Sequence, residues 1–186
     1  MKRSQYIALL IIALGSTAAI GKETLVINRA ITEPEVLAAQ KAWCAALVDI
    51  SNTYQKEGLA AAKALAGKVI DSAYGYQMGG VLFKPTLTVN PQTFRTTRAG
   101  ALAYFVGDDP AFPNDTGFAL KNWKNCAIDN AAIIITGDSA TTMGKVNLTN
   151  AQGQVTTVDK TWQFVKDDNG ALRIVVHHSS LEHQAK

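Results

Sequence analysis

Apolar residues recur at steps of three and four over the first third of the chain, the spacing of one helix face. Thr32-Glu33-Pro34-Glu35 carries helix-start signals, since Thr32 can cap, Glu35 takes the capping-box position and proline suits the first turn. The pattern predicts a helix of about 20 residues, an interruption at Gly58 and an alanine-rich second helix over residues 59–68. The predicted core-facing stripe is Val36, Ala39, Trp43, Leu47, Ile50 and Tyr54.

The pattern changes beyond residue 71, where glycine and proline begin to separate short apolar runs. Two strands, 74–77 and 81–83, are predicted to join at Gly79-Gly80. Residues 98–106 predict a short helix capped by Thr96 or Thr97, and a loop should follow it. The rest of the chain predicts strands joined by hairpin turns, over residues 118–128, 132–136, 140–149, 155–166 and 171–180.

This order of elements predicts an α+β fold, because the helices come first and an antiparallel meander follows. A curved antiparallel sheet wrapped around the long N-terminal helix would make a cone-shaped fold with an apolar floor. Ligand sites in such folds lie in the concavity between sheet and helix.

The first 20 residues have the pattern of a secretory signal peptide. Lys2 and Arg3 give a basic start, an apolar run over residues 7–14 follows, and small residues at 15–19 suit cleavage. An uncleaved N-terminal anchor is the alternative. With cleavage, residues 21–186 form one domain with no membrane-spanning stretch, and the protein is periplasmic or secreted.

Loss of the leader lowers the formal net charge from +3 to +1. A nearly neutral surface argues against nucleic acid or an anionic membrane as partner. Cys44 and Cys126 are the two cysteines. Export permits a disulfide between them, but sequence separation alone leaves two buried thiols as an equal alternative.

The C-terminal strand ends in His177-His178-Ser179-Ser180, and strand formation itself does not require these polar residues. Because strand side chains alternate, Val175, His177 and Ser179 should share one face, with His178 and Ser180 on the other. Adjacent histidines on opposite faces are a poor start for a metal site, and no familiar ligand spacing completes one. A frayed polar strand end is the simpler alternative.

Three local motifs together resemble the iota class of carbonic anhydrases, in the metal-free type. They are Phe83-Lys84-Pro85-Thr86, Ala103-Tyr104-Phe105 and the terminal His-His-Ser-Ser run. The order of elements resembles the nuclear-transport-factor-2-like fold, which includes the association domain of calmodulin-dependent kinase II. The resemblance covers residues 30–183, nearly the whole mature chain.

The resemblance implies a carbonic anhydrase (carbonate dehydratase, a lyase), which hydrates carbon dioxide reversibly to bicarbonate without a metal. Thr86, Tyr104 and Ser179 match the positions that hold bicarbonate in the metal-free branch. Zinc or manganese is the alternative, since other members of the wider class have been treated as metalloenzymes. His177 shares the predicted strand face of Ser179 and titrates near neutrality, so it is the candidate proton shuttle.

The residues also leave room for other functions of the same fold. A non-catalytic small-ligand-binding or oligomerisation domain is one alternative. An isomerase with a buried aspartate base is another, with Asp71, Asp129 and Asp159 as candidates. A single helix layer cannot cover both faces of a long sheet, so we expect a homodimer through the outer sheet face.

Overall fold

The computed structural model describes residues 23–183. The predicted signal peptide over residues 1–20 therefore lies outside the described residues. Among those residues, no helix is both long and apolar enough to cross a membrane. The helices are α1 (Glu33–Glu57), α2 (Leu59–Ala73) and α3 (Arg98–Val106), and the strands are β1 (Leu82–Lys84), β2 (Trp123–Thr136), β3 (Ser139–Asn150), β4 (Val155–Lys166) and β5 (Leu172–Leu181).

The five strands form one sheet in the order β1-β5-β4-β3-β2. Strands β2 to β5 make the predicted antiparallel meander. Strand β1 adds to its edge by pairing with β5 in the parallel direction. The α+β prediction is confirmed, with a mixed rather than purely antiparallel sheet. Helix α1 packs against this sheet, and their facing apolar side chains form the core.

Helix α1 starts as the sequence predicts, because the Glu35 carboxylate accepts hydrogen bonds from the Thr32 backbone amide and hydroxyl. Its predicted stripe faces the core. Val36, Trp43, Leu47 and Ile50 are buried, and Ala39 and Tyr54 are partly buried.

Two predicted strand assignments are wrong. Residues 76–78 form a 3₁₀ turn instead of a hairpin arm, and the Gly75 amide bonds to the Ile174 carbonyl of β5. Strand β1, which follows, pairs with β5 instead of forming a hairpin. The adjacent sheet edge supplies backbone partners that a short isolated hairpin lacks. Residues 118–120 also form a 3₁₀ turn, so β2 begins only at Trp123.

Strand β2 runs through the position where a break between two strands is predicted. A register shift between Asn130 and Ala132 absorbs the irregularity, so the strand is kinked rather than interrupted. Gly144 of β3 allows this close approach, since a Cβ there would collide with the Asp129 carbonyl oxygen.

A second register shift, between β4 and β5, changes which residues of β5 face the core. Gln163 pairs with Val176 and Phe164 with Ile174, so Val175 has no partner across β4. Ile174 therefore takes the core position, and the prediction that Val175 shares the inner face with His177 is wrong. His177 and Ser179 do share that face, where both are buried.

Cys44 and Cys126 form a disulfide, which decides between the two alternatives that the sequence leaves open. The bond joins the middle of α1 to the first half of β2. It therefore fastens the long helix to the outermost long strand of the sheet.

Candidate active site

Thr86 and Ser179 meet at the open edge of the sheet. The parallel pairing aligns Phe83 with His177 and Lys84 with His178, which carries the chain after β1 toward the end of β5. The Thr86 and Ser179 hydroxyl oxygens are 2.7 Å apart and share a hydrogen bond in which either can donate. Both residues are buried, Ser179 completely.

Tyr104 reaches the same place from α3. That helix begins at Thr97, whose side chain accepts a hydrogen bond from the Gly100 amide. The Tyr104 ring stacks on Phe118, with centroids 5.4 Å apart, and stands edge-on to Phe83 at 5.7 Å. These contacts hold the ring and aim its hydroxyl toward Thr86.

The Tyr104 hydroxyl is one of the buried side-chain atoms of residues 23–183 without a hydrogen-bond partner of normal geometry. Burial raises the pKa of Tyr104 above its usual range, and the nearby Thr86 hydroxyl and the backbone of Leu87 oppose this only in part. The phenol is therefore protonated at neutral pH and can donate a hydrogen bond to a bound ligand.

The structure brings Thr86, Tyr104 and Ser179 together, and we call these three residues the hydroxyl site. Phe83 and Phe105 form an apolar wall beside it, stacked with centroids 5.8 Å apart. Leu82, the neighbour of Phe83 on β1, is not part of this wall and is 66% exposed. It belongs to the other face of β1, since neighbouring strand residues point in opposite directions.

His177 lies behind the hydroxyl site, fully enclosed, with its ring stacked on Phe83 at 4.4 Å. Its Nδ1 is 2.8 Å from the Tyr74 hydroxyl and its Nε2 is 2.8 Å from Lys160 Nζ. The Tyr74 oxygen in turn accepts a hydrogen bond from Trp43 Nε1. Burial, followed by the nearby Lys160 charge, holds the pKa of His177 well below its usual value.

Sequence reasoning missed Tyr74 and Lys160 as neighbours of the site. A signal for Lys160 is present in β4, where alternate residues Val158, Trp162 and Phe164 are buried and a lysine occupies the position between the first two. A charged residue in such an inward series is unusual enough to attract attention. Tyr74 carries no comparable signal.

Two comparisons with known proteins bear on the family. A protein-family model described as metal-independent carbonic anhydrase matches residues 34–181. The chain belongs to this family. It is 68% identical over 168 residues to the metal-independent carbonic anhydrase of Nostoc sp. (strain PCC 7120 / SAG 25.82 / UTEX 2576), covering 90% of this chain and 82% of the relative.

One solved structure agrees with this carbonic anhydrase assignment, and a second shares the fold alone. An iota-carbonic anhydrase from a cyanobacterium, complexed with bicarbonate, has 68% identity and a TM-score of 0.85, over 88% of this chain and 100% of that one. A calcium/calmodulin-dependent protein kinase II association domain from Xanthomonas campestris shares the fold. It has 22% identity and a TM-score of 0.55, over 88% of this chain and 97% of its own.

The metal-independent description of the family supports the prediction that this carbonic anhydrase uses no metal cofactor. Within residues 23–183, His, Cys, Asp and Glu side chains form no group of three or more that could hold an ion. His178 is exposed and points away from the buried His177.

The aspartates of the isomerase alternative do not form a buried site. Asp71 pairs with Arg98 and Asp159 with Lys145, and both carboxylates are more than half exposed. Asp129 is also exposed. A buried carboxylate does lie nearer, since Asp115 is paired with Arg95 Nη2 at 2.8 Å and influences Tyr104.

Proposed function

We propose that this carbonic anhydrase hydrates carbon dioxide at the hydroxyl site, with Thr86, Tyr104 and Ser179 binding the bicarbonate product. The observation that carries the proposal is the convergence of three hydroxyls from β5, α3 and the segment after β1 in one buried place. One of them, on Tyr104, has no normal hydrogen-bond partner of its own. The cyanobacterial relative complexed with bicarbonate supports the choice of ligand.

The chemistry of the three hydroxyls suits bicarbonate, a flat anion with three oxygens. Each hydroxyl can donate one hydrogen bond and also accept, so together they can satisfy the anion without burying a second net charge. Neutral donors bind an anion more weakly than cations do, which helps the product to leave. The Phe83 and Phe105 wall offers carbon dioxide, which is apolar, a place beside the same oxygens.

His177 is not a proton shuttle that is open to solvent. Both of its ring nitrogens face buried partners, Tyr74 on one side and Lys160 on the other. It can therefore pass or orient a proton only along this buried chain.

The test is a stopped-flow hydration assay on matched serine variants, Ser179→Ala and Ser180→Ala. Ser179 faces the site, whereas Ser180 lies on the opposite strand face. If each hydroxyl stabilises bound bicarbonate by about 1 kcal/mol, Ser179→Ala lowers turnover at least several-fold. Ser180→Ala stays near the wild-type rate.

A second matched pair extends the assay to Tyr104→Phe, with Tyr54→Phe as control because Tyr54 is half-buried on α1, away from the site. Tyr74 is unsuitable as a control, since its hydroxyl bonds to His177.

Activity should survive exhaustive chelation in every active variant. Loss on chelation that one divalent ion restores would contradict the metal-free mechanism, and equal effects within both pairs would remove the site assignment.

We also propose that the protein works outside the cytoplasm, in the periplasm or as a secreted protein, and as a homodimer. The disulfide between Cys44 and Cys126 supports export, because such bonds persist in oxidising compartments. The dimer would use the outer face of the sheet, where Ile134 and Met143 are both more than half exposed.

A further inference from the structure

Lys160 is buried inside the cone, although lysine is almost never fully buried unless it is paired. Its Nζ lies 4.8 Å from the ring centroid of Trp43 and 5.4 Å from that of Trp162. In the described part of the chain, the salt bridges of the acidic residues do not include Lys160. Stability alone gives no reason for this residue, because an apolar side chain would fit these surroundings better.

A chain of hydrogen bonds fixes the Lys160 amine. Trp43 Nε1 donates to the Tyr74 oxygen, which lies 2.8 Å from His177 Nδ1, and His177 Nε2 lies 2.8 Å from Lys160 Nζ. With the His177 proton on Nδ1, the ring donates to Tyr74 and its Nε2 accepts from Lys160. That arrangement suits both the ammonium and the neutral amine, and it leaves the lone pair of the neutral amine free to point elsewhere.

Residue Lys160 lies next to the hydroxyl site in the sheet. Lys160 is the direct cross-strand partner of Ser179, and both side chains point inward. Such partners have Cβ atoms about 5 Å apart. Lys84 borders the same residue from β1, since its Nζ donates to the Ser179 carbonyl at 2.9 Å. Lys160 thus neighbours Ser179 across the strand pair and contacts the buried His177 through its amine.

We propose that Lys160 is the proton acceptor of the hydration reaction and that His177 is the positioning residue that holds it, an inference that rests on the proposed function. The oxygen of a bound water forms a bond to the carbon of carbon dioxide, and one O–H bond of that water breaks. The proton goes to the lone pair of Lys160 Nζ. The products are bicarbonate and a Lys160 ammonium, which returns its proton to solvent after bicarbonate leaves.

Other nearby groups are less able to take this proton. The Thr86 and Ser179 hydroxyls do not act as bases, and the pKa of Tyr104 is raised by burial. The Asp115 carboxylate is held in a close ion pair with Arg95. His177 has both nitrogens engaged within the core.

Lys160 can change charge near neutral pH because burial, followed by repulsion from Lys84, lowers its pKa to about 7. The titratable groups that face it are Lys84 from β1, His177 from β5 and Tyr74 after α2. These add no negative charge at neutral pH, since burial raises the pKa of Tyr74 well above 10.0. Bicarbonate supplies the negative charge, so proton transfer and product formation favour each other.

The experiment compares Lys160→Met, Lys160→Arg and the exposed control Lys68→Met in hydration assays from pH 5.5 to 9. Removal of a general base should lower turnover by about 100-fold or more. Wild-type turnover should rise with pH through about 7, as the amine loses its proton, and Lys160→Met should lack this rise. Imidazole buffer should partly restore Lys160→Met. Lys160→Arg should stay inactive, because guanidinium cannot be deprotonated.

Wild-type turnover in Lys160→Met or Lys160→Arg overturns the inference, and if Ser179→Ala is still impaired the proposed function survives. Absence of hydration by the wild-type protein removes both. Should the variants fail to fold, the Lys160 Nζ resonance of the wild-type protein can be titrated by ¹⁵N NMR. Its midpoint should coincide with that of the rate, and an ammonium that persists through pH 9 contradicts the proposal.

Discussion

The burial of Lys160 should reduce the stability of the folded protein. The folded protein binds the Lys160 proton less tightly than the unfolded chain, since its pKa falls from 10.5 to about 7. Between these values the unfolded chain holds more protons, so the contribution of this residue to stability improves as pH rises. Below about 7 the amine is charged in both states and the penalty is complete.

Lys160→Met should therefore stabilise the protein, although His177 Nε2 loses its partner. We expect a gain of about 1–4 kcal/mol in the free energy of unfolding at pH 6. The gain should shrink markedly at pH 9.5, where the wild-type residue is mostly neutral when folded. Urea unfolding of both proteins at the two pH values measures this, with Lys68→Met as control. A gain that is equal at both values would contradict the assigned burial cost.

The residues of the hydroxyl site were accessible to sequence reasoning to different degrees. The role of Ser179 comes from the resemblance to a family, and strand alternation adds that it shares a face with His177, which the structure bears out. Thr86 and Tyr104 came only from the resemblance to a family, since each alone reads as an ordinary strand end or core ring. The Tyr74–His177–Lys160 chain depends on contacts between distant segments, so local patterns do not predict it.

Among the elements, strands β3, β4 and β5 and the three helices follow from local periodicity and turn residues, whereas β2 is predicted with a break that the structure does not have. The partner of β1 does not follow from local patterns, because a three-residue strand carries too little pattern to specify its neighbour. Local sequence patterns also do not predict the bulge opposite Gln163. This bulge decides that Ile174 rather than Val175 enters the core. These two features place Thr86 beside Ser179, so the site depends on the least predictable elements.

The disulfide between α1 and β2 should contribute to stability but little to catalysis. It closes a loop with a sequence separation of 82 residues, which restricts the unfolded chain. The double variant Cys44→Ala/Cys126→Ala should lose about 2–4 kcal/mol in the free energy of unfolding. Turnover at 25 °C should stay near wild type, because the hydroxyl site is carried by other elements. Urea unfolding and the hydration assay test both, and a large loss of turnover in the folded variant would contradict this separation.

At the scale of the whole molecule, one face of the sheet is covered by helices and the other is not. Trp162 and Phe164, both buried, point toward the helices. The outer face holds a cleft of about 430 Å³. Its lining includes Met143, Lys145, Asp159, Thr161, His178 and Ser180. An exposed methionine among polar groups is typical of the adaptable apolar centre of a protein–protein interface.

The predicted homodimer can be tested with the two methionines that the structure describes on its surface. Met143, in the outer cleft, is 60% exposed, and Met78, which does not line that cleft, is 48% exposed. Met143→Glu should give monomers, because it would bury an unpaired carboxylate at the interface, whereas Met78→Glu should remain dimeric. Light scattering at micromolar concentration measures the mass. A wild-type mass equal to one mature chain would exclude the dimer, and an unchanged Met143→Glu dimer would place the interface on another surface.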